Sequence, residues 1–523
     1  MSLLPFLVVT GVGAVAALLL RSRERLTTGV GLVALLVAFV AALGIQPGQV
    51  LVVEGAGIAT TEYLRLFLIL GTVVGLLLAV VGQVAGTRRD APAVTLGILA
   101  TSALALALPD ARLAVLAATA GGAFGALVTL VPVGGRAAAT VGTRVLRATV
   151  VAGTMAIAAT AWIGRDLSDL AAQPVVFGLA FLTFALAVAI RFGAIPLHAW
   201  AARLTDAVPE TALPLVTAWA PAAFAVVALA WADQSIAPLL VELDSVRAVV
   251  LAIAIASIVL ATVAAWIQDD IEHIVGYAIA GDAGVVMLAV AALEPEAWAP
   301  ARTWILAFVV ARSAFAAWAA ATRTVFGTGR VDELRGWAIR SPVLAVVFAV
   351  IVLASIGIPG LAAFDARAAV VGWALEPPLE ILVLFATFGP LAYYGRLLFV
   401  GLSRADGGRA GSTVASVRPV VTPLDLTELR AWLARTWSTN RIAGAVAGTA
   451  VLAVLALAVS AGTFGVRDAA AGLPPTIEGV QESFVPGGPE APADSDAPEI
   501  PASSQPVEAE PSAEPSVAPV PSS

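Results

Sequence analysis

Six ionisable side chains fall inside otherwise apolar stretches of the chain: Arg191, His198, Asp282, Arg312, Asp365 and Arg367. A charge at the centre of a membrane helix costs about 2.5–3.5 kcal/mol on insertion scales, so each needs a partner or a wet cavity. As a set they read as a polar track for ions through a bilayer. The alternative is a set of mutually satisfying ion pairs that fix helix packing, since three arginines, two carboxylates and a histidine nearly balance. Two prolines add to the first reading. Pro196 lies just after Arg191, and Pro359 lies just before Arg367. Each removes a backbone donor and frees a carbonyl that water or a nearby side chain must satisfy. Paired interruptions beside ionisable residues point to inverted repeats with a site at mid-depth.

The chemistry open to this set is narrow, because all 29 basic residues are arginine. Deprotonating arginine at pH 7 costs about 7–9 kcal/mol, whereas a membrane potential of ~150 mV supplies only about 3.5 kcal/mol per charge. Arg191, Arg312 and Arg367 can therefore hold a fixed field, orient water and tune a nearby acid, but they cannot give up and regain a proton each cycle. There is no cysteine, which excludes disulfides, iron–sulfur ligation and thiolate zinc sites. With two histidines, His198 and His273, no metal or cofactor is expected, and the chain is not expected to carry electrons.

The elements that must position these residues are membrane helices. Of 523 residues, 60% are apolar and 12% charged, with mean hydropathy +0.95; soluble domains lie near 45–50% and ~25%. Apolar runs centred near Val12, Leu35, Val73, Leu99, Val128, Ala156, Phe181, Ala222, Ile258, Val286, Val309, Ile351, Phe388 and Leu455 predict an all-α polytopic protein with about fourteen transmembrane helices. Two are expected to be broken, one from about Val175 through Pro196 to Trp200, the other from about Pro342 through Pro359 to Leu375. Alternating the loops sorts twenty arginines to one side and six, among them Arg302 and Arg467, to the other. That bias puts the first side in the cytoplasm and both termini outside. The first span has no arginine before its apolar core and a cluster after it, so it reads as a retained anchor. The twelve tryptophans, including Trp200, Trp219, Trp266 and Trp298, read mostly as interfacial anchors.

The expected organisation is N-terminal helices over 1–108, a first repeat over 109–232, a second over 233–400, a cytoplasmic loop over 401–441, a last span over 442–467 and a tail over 468–523. Within the loop, Leu424–Leu433 has the apolar spacing of a surface-lying helix, either bracing a neighbouring subunit or serving as a solvated linker. From Pro474 onward the tail holds nine acids and no base, so the net charge of −7 becomes +2 without it. Its Pro, Glu, Ser and Ala content predicts disorder.

Three motifs in register carry a resemblance. Arg191-Phe-Gly-Ala-Ile-Pro-Leu-His-Ala-Trp200 is followed by Pro209 and Ala220-Pro221. Asp270-Ile-Glu-His-Ile-Val-Gly-Tyr277 runs on to Ala283-Gly284. Asp332-Glu-Leu-Arg-Gly336 precedes Pro342 and Ile356-Gly-Ile-Pro-Gly-Leu-Ala-Ala-Phe364. Over about 191–367 the chain resembles the antiporter-like membrane subunits of respiratory complex I, in particular subunit N of bacterial NADH-quinone oxidoreductase. The resemblance implies two inverted five-helix repeats, each with a broken helix, and proton movement along buried lysines, glutamates and histidines. Carried over, the lysines of the broken helices fall at Arg191 and Arg367, the lysine after Ala220-Pro221 falls at Ala222, and the histidine of the tenth span falls at Asp282. The glutamate of the fifth span has no counterpart, since Leu113–Val131 contains no acid.

The function expected is a non-redox membrane subunit of a complex I-like NADH-quinone oxidoreductase, taking part in proton translocation coupled to electron transfer. In one version water carries protons between Asp282, Asp365 and His198 while the arginines set the potential. In the other, which the energetics favour slightly, the fold is kept and net pumping is lost. The alternatives are a subunit of a multisubunit cation/proton antiporter or related complex, or a structural scaffold with static charges. Expected partners are other membrane subunits and the lipid bilayer of the plasma membrane, with quinone only indirectly. No nucleic acid is expected, because the basic residues track one membrane face.

Overall fold

The structure is a computed structural model. It describes residues 2–472 apart from 54–55, 87–90, 131–135, 163–173, 202–203, 236–243 and 405–425. The acidic tail beyond 472 and the start of the expected loop helix lie outside the described residues.

Each of the fourteen apolar runs coincides with a helix. The first seven are α1 (Leu4–Leu19), α2 (Glu24–Leu43), α3 (Glu62–Ala85), α4 (Ala91–Ala107), α5 (Ala111–Leu130), α6 (Arg136–Trp162) and α7 (Pro174–Phe192). Then come α8 (Ala220–Ser235), α9 (Asp244–Ile267), α10 (Ile271–Ala292) and α11 (Pro295–Phe326). The twelfth span is split into α12 (Pro342–Ile356) and α13 (Ala362–Ala374), and the thirteenth into α14 (Leu379–Ala386) and α15 (Pro390–Leu402). A 35-residue helix, α16 (Leu426–Ser460), takes in both the last span and the part of the loop helix that is described. A short α17 (Val466–Ala471) follows. Among the described residues, ten helices are long and apolar enough to cross a bilayer and four more apolar ones are shorter. A small antiparallel hairpin, Val50–Val53 against Ala56–Ala59, is the only sheet among the described residues.

Burial separates two kinds of helix. From Ala301 to Thr322, α11 is buried on every face, and α8 and α10 nearly so. A helix apolar all round belongs in a core. By contrast α1, α2, α9, α14 and α15 turn Val12, Val33, Ile267, Phe385 and Phe399 outward, as lipid-facing helices do. Hydrogen bonds between loops then sort them to two opposite ends. At one, Arg441 donates to the Val84 carbonyl, Arg396 to Trp266 and Gln268, and Arg323 meets Glu210 and Glu272. At the other, Arg247 donates to Ala291 and Ala374, and Arg302 to Ala470. This is the alternation that fourteen spans require. The first is called the arginine-rich end below.

Both expected breaks are present. After α7, Gly193 takes a left-handed φ of +64°, where a side chain would strain the backbone and a Cβ would lie 2.8 Å from that of Ala201. Pro196 then leads into a 3₁₀ turn, Leu197–Trp200. The freed backbone is satisfied locally: the Trp200 indole donates to the Ile190 carbonyl at 2.7 Å, and Ser257 accepts from the Ile195 amide at 3.0 Å. After α12, Gly357 has φ +65° and Gly360 φ +95°, with Ile358, Pro359 and Gly360 exposed. A third irregularity precedes α8, where Leu215–Trp219 forms a π-helical turn ahead of Pro221. Proline lacks the donor that would close an ordinary turn there.

Most tryptophans depart from the interfacial expectation. Among the described residues Trp162, Trp266 and Trp373 are exposed, but Trp219, Trp298, Trp304, Trp318 and Trp337 are buried. Packing supplies acceptors for several of these indole N–H groups: Ser313 for Trp219, Leu344 for Trp318 and Leu397 for Trp337; the Trp298 indole is buried without one.

Candidate functional site

The centre of the site lies between α10, α11, α12, α13 and α15. Arg312, 1% exposed on α11, grips Asp282 on α10 with two bonds: Nε to Oδ2 at 2.5 Å and Nη2 to Oδ1 at 2.9 Å. Its remaining Nη1 donates to the Tyr394 hydroxyl at 2.5 Å, which donates to Ser355 at 3.1 Å. One guanidinium thus ties α10, α11, α12 and α15 together. Bidentate geometry with every arm engaged is what makes a buried ion pair tolerable.

Arg367 on α13 lines the same cavity as Asp282, with Tyr277, Trp304, Thr387 and Tyr393. The faces of its guanidinium are covered by aromatic rings, with centroids 5.6 Å away for Trp304 and Phe364 and 5.0 Å for Phe388. Such contacts stabilise a desolvated cation by about 2 kcal/mol or more, but they supply no negative charge. Its Nε and Nη2 make no hydrogen bond among the described residues.

Arg191 is separate. It ends α7 and donates from Nη1 to Thr149 on α6 at 3.2 Å, with Nε and Nη2 unbonded among the described residues. Its guanidinium lies on α5 at Gly122, where a Cβ would come within 2.6 Å of Nη2.

His198 sits in the 3₁₀ turn after Pro196, 6.2 Å from the Tyr277 ring, with Nδ1 buried and unbonded. Asp365 does not join the buried set. Its carboxylate is 42% exposed and accepts from Arg467 at 2.6 Å and from the Gly360 amide. The near balance expected among the six therefore does not form: Asp365 spends its charge on Arg467, leaving Asp282 as the one acid among three buried arginines. Ala222, where the resemblance puts a lysine, is an apolar buried residue.

The structure adds residues that the sequence reading left in loops. At the arginine-rich end, Arg323 bridges Glu210, at 2.8 Å, and Glu272, while His273 meets Asp206 at 3.1 Å. These line an open cavity with Thr205. Thr205 and His273 also wall a second, smaller cavity with His198 and Tyr277, and Tyr277 in turn walls the cavity of Asp282. At the opposite end Tyr63, Asp233 and Arg302 are buried near one another, Tyr63 donating to the Arg302 carbonyl at 3.2 Å. No group of three or more histidines, aspartates or glutamates fit to hold a metal occurs among the described residues.

Residues 151–392 match the family described as NADH:quinone oxidoreductase/Mrp antiporter, TM. The chain is similar to NADH-quinone oxidoreductase subunit N of Thiobacillus denitrificans, 28% identical over 255 residues, 47% of this chain and 51% of that one. Similarity to subunit N of Halorhodospira halophila is 28% over 230 residues, 43% and 46% of the two chains. The chain thus spans about half the length of the curated relatives it matches. In fold it is similar to a chain of the Mrp complex from a Dietzia species, with TM-score 0.68, 17% identity and coverage of 90% and 98%. A chain of respiratory complex I from Thermus thermophilus gives 0.66, 20%, and 88% and 98%.

Proposed function

We propose that the chain is a proton-translocating membrane subunit of a complex I-like assembly, with no redox centre of its own. One observation carries this reading: three cavities share walls in series, from the arginine-rich end past Thr205 and His273, on past His198 and Tyr277, to Asp282. Along them stand side chains that exchange protons readily, namely Asp206, Glu210, Glu272, His273, His198 and Asp282. The arginines stay charged throughout and shape the potential that water and acids work in. The positive-inside bias makes the arginine-rich end cytoplasmic, so the series is a half-channel entered from that side. The relatives are named as subunits of NADH-quinone oxidoreductase, which supports other membrane subunits as the company of this chain; the plasma membrane as its site and an indirect relation to quinone are part of the same reading.

A second reading rests on the Arg312–Asp282 pair. With both oxygens of Asp282 engaged, the acid can be a fixed charge in a scaffold that has lost pumping. Reconstitution of the parent assembly separates the two. Asp282→Asn should lower the proton-to-electron ratio while the assembly stays intact. If Asp282→Asn and Arg191→Ala both leave that ratio unchanged, the conduit reading fails and the scaffold stands.

A further inference from the structure

The buried charges leave a surplus. Arg312 and Arg367 are each 1–2% exposed, and Asp282 is the one buried acid beside them. Its single negative charge is held by Arg312, to which both oxygens are bonded, and neither oxygen bonds Arg367. A lysine left in this position could shed its proton and become neutral; an arginine cannot. The surplus at Arg367 therefore calls for an anion that the described residues do not supply.

The surroundings of Arg367 suit one. Aromatic rings cover the faces of the guanidinium, so its edge is the side left for a ligand. On that edge Nε and Nη2 are buried donors without acceptors. Across the same cavity the buried Tyr393 hydroxyl lies beside Arg312 and Tyr394 and finds no partner of good hydrogen-bond geometry. The cavity is narrow, leaving about 20 Å³ in which the centre of a water-sized particle can move, enough for a particle of water or small-ion size. A water molecule would answer the hydrogen bonds but not the charge.

We propose that the cavity bounded by Arg367 and Tyr393 binds a small monovalent inorganic anion of chloride size. The aromatic faces hold the cation in place, the guanidinium edge and the phenol O–H coordinate the anion, and Asp282 remains with Arg312. Binding is measured without any ion movement, so it stands or falls apart from the proposed conduit.

The test uses the full chain purified from membranes with its natural associates. Thermal unfolding is followed in chloride, bromide and gluconate at matched ionic strength. The wild type should show a saturable rise of the midpoint with either halide relative to gluconate. Arg367→Gln should abolish that rise, whereas Arg65→Gln, at an exposed ion pair with Glu62, should keep it. Tyr393→Phe should weaken half-saturation by about tenfold, the worth of one hydrogen bond to a charge. An equal response of wild type and Arg367→Gln, or no halide response in the wild type, overturns the proposal. Should Arg367→Gln fail to accumulate, anomalous scattering from bromide decides. A peak beside Arg367 supports the site, and bromide peaks confined to other places overturn it.

Discussion

The two broken spans face the same difficulty, an arginine in a dry interior, and meet it differently. At the first, Arg191 has one hydroxyl partner, Thr149, a glycine to lie against, and no acid. At the second, Arg367 has three aromatic rings and shares a cavity with Asp282 and Arg312. The backbone is handled in the opposite way. The first break is buried and its freed groups are tied to Trp200 and Ser257, whereas Ile358–Gly360 of the second faces outward. One half thus invests its hydrogen bonds in holding the break still, and the other invests them in holding charge.

Five perturbations would break or sharpen that contrast. The largest effect is expected from Arg312→Ala, which strands Asp282 without its partner and should cost about 3–5 kcal/mol. Pairing it with Asp282→Asn should recover most of the loss, read as the yield and melting midpoint of the membrane protein. Next, Trp200→Phe removes the indole donor to the Ile190 carbonyl and should destabilise by about 1–3 kcal/mol. Deletion of the exposed Ile358 side chain (Ile358→Ala) should fall within about 0.5 kcal/mol, and equal effects at the two breaks would erase the distinction between them.

Gly122→Ala should change sign with its partner. In the wild type the new methyl displaces the Arg191 guanidinium from Thr149 and offsets any gain in helix propensity. With Arg191→Leu in place, the same exchange should stabilise α5 by about 0.5–1 kcal/mol. A double-mutant cycle on thermal midpoints measures the difference. A small effect is also expected of Asp365→Asn, whose half-exposed pair with Arg467 is worth about 0.2–1 kcal/mol; a loss as large as that of Arg312→Ala would return Asp365 to the buried set.

The sequence carried the spans and both breaks because hydropathy and proline report on the chain near themselves. Buried arginines were equally legible, since a charge in an apolar run has few places to go. Asp365 shows where that logic stops. It lies two residues from Arg367, and positions two apart on a helix point to nearly opposite sides, so one faces Arg467 and the other the aromatic cage. Glu210, Glu272 and Arg323 were hidden for a different reason. Each stands at a span end, where a charge reads as a solvated loop residue, and the three meet only through contacts 51 and 113 positions apart along the chain. Nor did composition distinguish tryptophans at an interface from those buried in the core; only the acceptors brought by other helices do that.

The last long helix has a mechanical consequence. At 1.5 Å per residue, the 35 residues of α16 extend about 52 Å, well beyond a hydrocarbon layer of about 30 Å. The rod contains no proline or other joint along its length, and it is fastened at several heights: Arg441 to the end of α3, Thr449 to Ala317 in the middle of α11, and Gly462 just past its end against Ala362 at the start of α13. A displacement of its Leu426 end is therefore not absorbed locally. It tilts the whole shaft, and the far side of the bilayer feels the lever at the foot of the segment that carries Arg367.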